Sequence, residues 1–379
     1  MIYLDYSATT PVNDEVLNTF QKVSKNYFSN PNSLHFLGLQ TKKLLDEATE
    51  QIANIMHVKP TEIIYTSGAS ESNNLAIKGI AFKYQNRGKH IITTMLEHSS
   101  IFGPLNYLQS KGFEIDFVNI LENGHVDLEH LKSLLRDDTI LVSICAVDSE
   151  VGIRQPIEEI GLILKKYPKL FFHVDMTQCL GKDNIDLTNV DLASFSAHKI
   201  YGVKGIGGLI KKEKIMLEPL IHGGKSTTIF RSGTPTTELI VSLSKALRLA
   251  VTDLEAKKEH VMRLNSKVRD FLSKYPKVAI NSTNKSLPHI LNFSAIGIKP
   301  ETFLHALEED NIFISTKSAC SQGDALSKSV YAICKKEDIA SSSLRISISH
   351  LTTEQEIEMF MKLFDKNYKK LSEVVNENC

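Results

Sequence analysis

The sequence predicts an α/β fold in two parts, a mainly parallel three-layer sheet domain and a smaller α+β domain. Three observations predict it. Short β-rich runs alternate with amphipathic helical stretches from about residue 35 to residue 212, which is the pattern of βα units. Several of these runs are continuously apolar, as expected of parallel strands that are covered on both faces. After Pro235 the alternation ends, and helical stretches mix with short strands.

Seven runs of the first part are predicted as strands or strand ends. The segment 36–57, before the first of them, has apolar residues at helical spacing, so it is predicted as a helix with one buried face. The seven runs are TEIIYTSG (61–68), KHIITTMLEH (89–98), FEIDFVNI (113–120), TILVSICAVDSE (139–150), KLFFHVDMTQ (169–178), VDLASFSAHK (190–199) and GIGGLIKK (205–212).

The second part begins with a helical stretch from Pro235 to about Lys274 that has few breaks. Four short strands are predicted after it, KVAIN (277–281), HILNFS (289–294), NIFIS (311–315) and SLRISIS (343–349), together with helices over 300–310 and 353–375. The N-terminal segment has no room for a fold of its own and is expected to pack near the seam. The predicted domains are therefore 15–259 for the large one, and 1–14 with 260–379 for the small one.

Composition excludes several classes of function. The chain has 379 residues, with 44 Lys and Arg against 44 Asp and Glu. Zero net charge argues against a direct nucleic-acid binder and against a polybasic membrane-surface protein. No stretch has the apolar length of a membrane span, and MIYLDYSATT lacks the pattern of a signal peptide. These features predict a cytoplasmic protein.

The five cysteines, at positions 145, 179, 320, 334 and 379, argue against a disulfide scaffold or a zinc site. Their number is odd and no pair has Cys-x-x-Cys spacing, so no metal site is predicted. Cys145 and Cys179 lie in apolar runs and are expected to be inert core thiols. Cys320 lies in the polar run STKSACSQGD (315–324), which is typical of an exposed loop. It is the best candidate for a reactive thiol.

Polar side chains follow the predicted strands where each one ends. In an open parallel sheet, ligands bind outside the carboxyl ends of the strands, so these residues are candidates for a site. The turn Ser67-Gly68-Ala69-Ser70 leads into a helix and suits a phosphate, although an ordinary helix cap is about equally favoured. The other residues at this edge are His98, Asp148, Ser149, Glu150, Asp175, Gln178, Ser196, His198 and Lys199.

Three of these residues have a specific chemical interpretation. Asp175 ends an apolar strand, where a carboxylate needs a cationic partner; a ligand and a protein Lys or Arg are equally open. Lys199 lies among small residues, where a lysine loses its proton readily and forms a Schiff base, although a solvated loop lysine is the commoner case. His98 could cover a ligand ring or cap a helix. A phosphate turn, a buried carboxylate and a Schiff-base lysine together indicate pyridoxal phosphate.

The chain resembles, over nearly its whole length, the NifS/IscS-like cysteine desulfurases of the fold-type-I pyridoxal phosphate enzymes, in their mobile-loop group. The resemblance implies the transferase fold of those enzymes, a homodimer, and conversion of L-cysteine to L-alanine. Nine stretches carry it in order: YLDYSATTPV (3–12), SNPNSLH (29–35), YTSGASESNNLAIKG (65–79), LEHSS (96–100), HVDMTQ (173–178), SFSAHKIYGVKGIGGL (194–209), RSGTP (231–235), SACS (318–321) and SSLRISIS (342–349).

The resemblance also implies a role for each matching residue. Lys199 forms the Schiff base, Asp175 pairs with the pyridine nitrogen, and His98 stacks on the ring and is a candidate acid or base. Cys320 accepts the sulfur as a persulfide and passes it to an acceptor protein, for iron–sulfur cluster assembly or tRNA thiolation. The remaining matches are Gln178 at the ring hydroxyl, Ala69, Ser70, Ser196 and His198 at the phosphate, Thr234 at the phosphate across a dimer interface, Arg345 at the substrate carboxylate, and Asn30 near the substrate.

The sequence departs from the family pattern at Ser149, where the family usually has an asparagine that contacts the ring hydroxyl. The shorter serine side chain weakens the expectation of that contact. Two other hypotheses stay open: another pyridoxal phosphate lyase or aminotransferase on this fold, and a non-catalytic scaffold that retains the fold. The loop thiol argues against the first, and the intact set of Lys199, Asp175, His98, Cys320 and Arg345 argues against the second.

Overall fold

The computed structural model describes residues 1–316 and 326–377, with side chains described as far as residue 373. Its strands are β1 Ile2–Tyr3, β2 Ile63–Thr66, β3 His90–Thr94, β4 Glu114–Val118, β5 Thr139–Cys145, β6 Phe171–Asp175, β7 Leu192–Ser196, β8 Gly207–Lys211, β9 Val278–Ile280, β10 Ile290–Ala295, β11 Ile312–Phe313 and β12 Ser343–Ser347. Its α-helices are α1 Asp14–Asn26, α2 Phe36–Met56, α3 Ala69–Tyr84, α4 Ser99–Gln109, α5 Leu128–Leu134, α6 Ile157–Leu164, α7 Thr237–Val251, α8 Leu254–Leu272, α9 Pro300–Glu309, α10 Lys328–Cys334, α11 Glu337–Ser341 and α12 Glu354–Glu377. None of the helices that these residues form has the length and apolarity needed to cross a membrane.

The main sheet has seven strands in the order β2-β8-β7-β6-β5-β3-β4. Every neighbouring pair runs parallel except the two pairs made by β8, which is antiparallel to both β2 and β7. Each of the seven runs predicted as strands contains one of these strands. The prediction of a mainly parallel sheet is confirmed.

Both faces of this sheet are covered, which confirms the three-layer prediction. Successive side chains of a strand point to opposite faces. Neighbours such as Ile91 and Ile92, or Leu141 and Val142, accordingly fall into two separate hydrophobic clusters. One cluster includes apolar residues of α2, α6 and α7, and the other includes those of α3 and α4. The continuous apolar runs in the sequence are explained by burial on both sides.

The second part contains the antiparallel sheet β9-β10-β12 and a hydrophobic cluster that spans Leu4 to Phe364. Its helices α8, α9 and α12 pack around the buried Phe293 and Phe303. The predicted long helical stretch is α7 and α8 with one break, at Asp253, whose φ of 54° is left-handed. Val330 and Ile333 pack with the first part instead. The domain boundaries therefore stay a prediction.

The N-terminal segment lies between the two parts, as the sequence predicts. Strand β1 pairs in parallel with β11, and the amide of Ser347 donates to the Leu4 carbonyl at 2.7 Å. Further along, the Thr10 amide donates to the His198 carbonyl at 3.0 Å, and the Asn13 amide donates to the Tyr201 carbonyl at 2.9 Å. One short segment is thereby bonded to strands of the second part and to the turn that carries Lys199.

Candidate active site

A cavity of about 520 Å³ lies at the carboxyl edge of the main sheet. Its volume is typical of a small-molecule or cofactor site. Most of the strand-end residues that the sequence analysis singled out meet here, because the parallel strands end on this edge. Asp148 and Glu150 do not line the cavity; their carboxylates accept from the Val151 amide and the Ser327 hydroxyl instead. The cavity is lined by Ser7, Ala8, Thr9, Ser67, Gly68, Ala69, Ser70, Leu96, His98, Cys145, Val147, Ser149, Asp175, Thr177, Gln178, Ser196, His198, Lys199, Lys204, Gly205 and Arg345.

The turn before α3 lies in the wall of the cavity and is its candidate anion site. No side chain caps the N-terminus of this 16-residue helix. Its first N–H groups and the positive end of its dipole are thus directed at the cavity. A Cβ atom at Gly207 would lie 2.7 Å from the Gly68 Cα, so only glycine allows β8 to approach the turn so closely. The absence of a side-chain cap favours the phosphate interpretation over an ordinary capped helix.

Asp175 ends β6 and is only 6% exposed. Its Oδ1 accepts from the Thr177 amide at 2.9 Å, and its Oδ2 accepts from the Asn73 side-chain amide at 2.8 Å. Both donors are neutral, and no Lys or Arg within residues 1–316 and 326–377 forms an ion pair with this carboxylate. A buried carboxylate that is held by neutral donors in a cavity wall fits a protonated ring nitrogen.

His98 is the N-cap of α4, and its ring borders the cavity. Nδ1 accepts from the Ser100 amide at 3.2 Å and lies 2.9 Å from the Ser100 hydroxyl. Burial lowers the pKa of His98, and the Asp175 charge opposes this shift. A neutral ring whose Nδ1 accepts must carry its proton on Nε2. His98 is therefore both the cap of α4 and a side chain in the cavity wall, so the two sequence interpretations are compatible.

Lys199 follows β7 in a single helical turn, Ala197–Lys199. Its ammonium nitrogen donates to the carbonyls of Ser7 and of Ala8, the latter at 2.8 Å. Burial, together with the nearby charges of Lys182 and Arg345, lowers the pKa of Lys199 to about 7. A lysine with such a pKa is partly neutral at physiological pH, as a Schiff-base amine must be.

Arg345 lies on β12 with only 1% of its surface exposed. Nη2 donates to Asp5 at 2.7 Å, and Nη1 donates to the Ser149 carbonyl at 2.8 Å. Nε is buried and has no hydrogen-bond partner among the described residues. Because an arginine has five N–H donors, this side of the guanidinium can still receive a carboxylate.

The structure does not bring every predicted site residue to this cavity. Asn30 is exposed, and its side-chain oxygen accepts from the Asn32 amide at 2.9 Å in a local turn. Thr234 is also exposed, and it borders a separate groove beside Arg231. The expected roles of these two residues stay predictions. Cys320 lies outside the described residues.

Several residues of the site were missed by sequence reasoning. Asn73 bridges Asp175 and Ser100, at 2.8 Å from each. The carbonyls of Ser7 and Ala8 hold Lys199, and Asp5 holds Arg345. The only signal for Asn73 is its place one helical turn after the phosphate turn. Nothing local indicates Asp5, which lies 340 residues before Arg345.

Comparisons with known proteins agree with this geometry. The family model for aminotransferase class-V matches residues 2–360. A NifS/IcsS protein homolog of Lactobacillus delbrueckii subsp. bulgaricus is 41% identical over 99% of both chains. The cysteine desulfurase IscS of Dictyoglomus turgidum is 37% identical over 98% of this chain and 95% of its own. A solved NifS-like protein superposes with a TM-score of 0.91 at 35% identity, over 98% of this chain and 99% of its own. The chain therefore belongs to the aminotransferase class-V family.

Proposed function

We propose that the protein is a cysteine desulfurase that uses pyridoxal phosphate and converts L-cysteine to L-alanine. One observation carries the proposal: a single cavity gathers an amine with a pKa of about 7, a buried carboxylate held by neutral donors, and an uncapped helix N-terminus. Relatives named cysteine desulfurase, which align over nearly the whole chain, support the choice of reaction.

The donor set fits pyridoxal phosphate at each end. The phosphate would be held by the first turn of α3, with Ala69 and Ser70, and by Ser196 and His198. Burial lowers the pKa of His198 to about 4. Asp175 would pair with the ring nitrogen, His98 would cover a ring face, and Lys199 would hold the aldehyde carbon covalently. When bound, this cofactor supplies an electron sink for the negative charge that develops at the substrate α-carbon.

The residues of the chain then have distinct tasks. Arg345 binds the substrate carboxylate through the donors that Asp5 and Ser149 leave unused. The neutral amine of Lys199 would take the α-proton of the substrate. The thiolate of Cys320 attacks the substrate sulfur: the C–S bond breaks, an S–S bond forms, and the electron pair of the C–S bond stays with carbon. L-cysteine and a protein thiol thus become L-alanine and a protein persulfide.

Turnover by the wild-type protein tests this proposal. Purified protein with pyridoxal phosphate, cysteine and a thiol reductant should release alanine and sulfide in equal amounts. Release of pyruvate and ammonia with the sulfide would indicate a lyase, and amino transfer to a keto acid would indicate an aminotransferase. Either result, or no reaction of a protein that binds the cofactor, would contradict the proposal.

We expect Asp175→Asn to lower kcat by at least about 100-fold, the cost of losing one electrostatic stabiliser at a reacting centre. The neutral amide cannot keep the ring nitrogen protonated, so the ring becomes a poor electron sink. The fold should tolerate the change, because Asn73 can turn its unpartnered Oδ1 toward the new amide. Kinetics and cofactor content measure the effect. The matched control is Asp191→Asn, a mostly buried carboxylate that accepts from the Phe172 amide at 2.8 Å outside the cavity.

Ser149 lines the cavity, and its carbonyl accepts from Arg345. The backbone contact does not depend on the side chain, so Ser149→Asn should leave Arg345 in place. We expect the longer amide to reach the ring hydroxyl and to lower the dissociation constant for pyridoxal phosphate by about threefold to tenfold, as one added hydrogen bond does. Fluorescence titration of the apoprotein measures it. Weaker binding together with lost turnover would show a different loop geometry.

We further propose a homodimer in which Thr234 of one subunit reaches the phosphate of the other. Thr234 is exposed and away from the cavity of its own chain. Large apolar side chains are exposed on the segments 28–39 and 220–229, which is typical of a protein–protein interface. These side chains are Phe28, Leu34, Phe36, Leu37, Leu39, Leu220, Ile221 and Ile229.

The remaining proposals concern the cellular context. The persulfide sulfur passes to an acceptor protein, either an iron–sulfur scaffold or a tRNA-thiolation protein, in the cytoplasm. The names of the relatives support sulfur transfer from cysteine and do not separate the two acceptors.

We also propose that the chain forms a large cofactor-binding domain, 15–259, and a small domain, 1–14 with 260–379, that carries the Cys320 loop.

A further inference from the structure

Lys182 is a charged residue of this region to which the proposed reaction gives no task. It follows Gln178 by four residues in the loop after β6 and is partly buried. Its ammonium donates to the Gln178 side-chain oxygen at 3.1 Å. Lys182 does not line the main cavity, so any effect on the cofactor must act through a neighbour.

The first such neighbour is Gln178, which lines the main cavity and is 6% exposed. Its Nε2 donates to the Ser7 carbonyl at 2.9 Å, while its Oε1 faces Lys182. Turning the amide over would set its NH₂ group against an ammonium and its oxygen against a carbonyl. The two partners therefore fix one orientation, which leaves the second N–H of Nε2 free to donate to an anionic ring oxygen.

The second neighbour is Lys199. Lys182 and Lys199 line the same small cavity, of about 20 Å³, to which Ser7 also contributes. This carbonyl accepts from both Lys199 and Gln178. Other titratable or charged groups also face Lys199 from the surrounding elements: Asp5, Tyr6, His98, Cys145, Asp175, His198, Tyr201, Lys204, Lys257, His289, Arg345 and His350. Lys182 differs from these groups in its link to Lys199: it donates to Gln178, and Gln178 and Lys199 both donate to the Ser7 carbonyl.

We propose that Lys182 is a positioning residue of the cofactor site, which orients the Gln178 amide toward the ring oxygen and holds a positive charge beside the Lys199 amine. The inference rests on the proposed use of pyridoxal phosphate. The partly buried ammonium of Lys182 would then determine both which N–H of Gln178 faces the ring and how readily Lys199 reacts.

The electrostatics agree in direction. Burial lowers the pKa of Lys182 to about 8, so it is charged at neutral pH. Burial is the largest cause of the lowered pKa of Lys199, and the charge of Lys182 is the next largest. Removing that charge makes protonation of Lys199 easier, so the pKa of Lys199 rises. Because only the neutral amine attacks an aldehyde, the pH at which Lys199 becomes reactive must rise as well.

Reconstitution of the apoprotein with pyridoxal phosphate tests the inference without any desulfurase turnover. The rate at which the bound-cofactor absorbance band appears is measured from pH 6 to pH 9. We expect Lys182→Met to raise the midpoint of this profile by about 0.5 to 1 unit, and to slow attachment at pH 7 about twofold to sixfold. The dissociation constant for pyridoxal phosphate should rise about tenfold, because the Gln178 amide is no longer fixed.

Two variants separate the roles, and a third is the control. Lys182→Arg keeps charge and donor and should restore the wild-type midpoint. Lys182→Gln removes only the charge, so the shifted midpoint should persist. Lys257→Met removes another ammonium of the small cavity, one that binds the carbonyls of Leu249 and Thr252, and should leave the midpoint in place. An unchanged midpoint in folded Lys182→Met and Lys182→Gln, or an equal shift in Lys257→Met, would overturn the inference. A protein that reconstitutes normally but releases no alanine would contradict only the proposed reaction.

Discussion

Lys199→Ala protein should contain no cofactor that borohydride can fix covalently, and its turnover should fall by at least about 10⁴-fold, because a covalent attachment point and the α-proton base are lost together. The side chain is well placed for both tasks. It is partly buried at the carboxyl edge of the sheet, and its pKa of about 7 keeps much of it neutral. Removal of Lys199 also takes a positive charge from the cavity, which weakens binding of the anionic cofactor. Some noncovalent binding should remain, because the first turn of α3 still holds the phosphate.

The measurement is intact-protein mass spectrometry after borohydride treatment, with and without prior denaturation. Wild-type protein should retain the added mass of reduced pyridoxal phosphate, and the Lys199→Ala protein should not. Lys204→Ala is the matched control, since Lys204 also lines the cavity but is exposed. It should keep the covalent mass. Finding that mass on the Lys199→Ala protein would reassign the attachment to another lysine.

Cys320→Ser is expected to stop sulfur release while leaving the cofactor chemistry up to that step in place. A hydroxyl at neutral pH is a poor nucleophile toward sulfur, so alanine and sulfide should fall to near background. The protein should still bind pyridoxal phosphate and still change its visible spectrum when cysteine is added. This separation distinguishes a sulfur acceptor from a residue that holds the cofactor.

One other cysteine, Cys145, could compete with Cys320 for the substrate sulfur because it lines the cavity. However, burial raises the pKa of Cys145 well above the ordinary value, so it is almost never a thiolate. Burial raises the pKa of Cys179 to about 12 for the same reason. Cys334 is partly exposed and lies outside the cavity, which makes Cys334→Ser the matched control with turnover retained. After cysteine treatment without reductant, trypsin yields peptide 318–328, whose only cysteine is Cys320. A sulfur-atom mass on this peptide is expected; the same mass on peptide 137–154, which carries Cys145, would overturn the assignment.

Sequence reasoning predicted the strands and their carboxyl ends because both depend on local pattern. Continuous apolar runs follow from burial on two faces, and the polar residues that end them must meet at one edge. Lys199, Asp175 and His98 can be predicted in this way because each lies at or just after the end of a strand. The structure then favoured a ligand over a protein cation as the partner of Asp175, because both donors to its carboxylate are neutral.

The contacts that orient these residues could not be predicted in the same way. Asn73 and Asp175 are 102 residues apart, and Asp5 and Arg345 are 340 apart. A sequence pattern reports what a residue's own segment does and contains no distance to a side chain so far along the chain. The uncapped N-terminus of α3 was equally hidden, because the sequence left a capped and an open turn about equally favoured.

The N-terminal segment has a consequence for how the protein is made. Residues 2–4 are synthesised long before their partners, because Ile2 and Tyr3 pair with Ile312 and Phe313, and the Leu4 carbonyl accepts from the Ser347 amide. Domains usually fold in order of synthesis. Here Ile2 and Tyr3 cannot pair until Phe313 has emerged, and the Leu4 carbonyl must wait for Ser347. Thr10 and Asn13 can bond the turn that carries Lys199 before then. A nascent chain truncated before residue 312 therefore has every strand of the main sheet and the bonds of Thr10 and Asn13 to the lysine turn, but residues 2–4 have no strand to pair with.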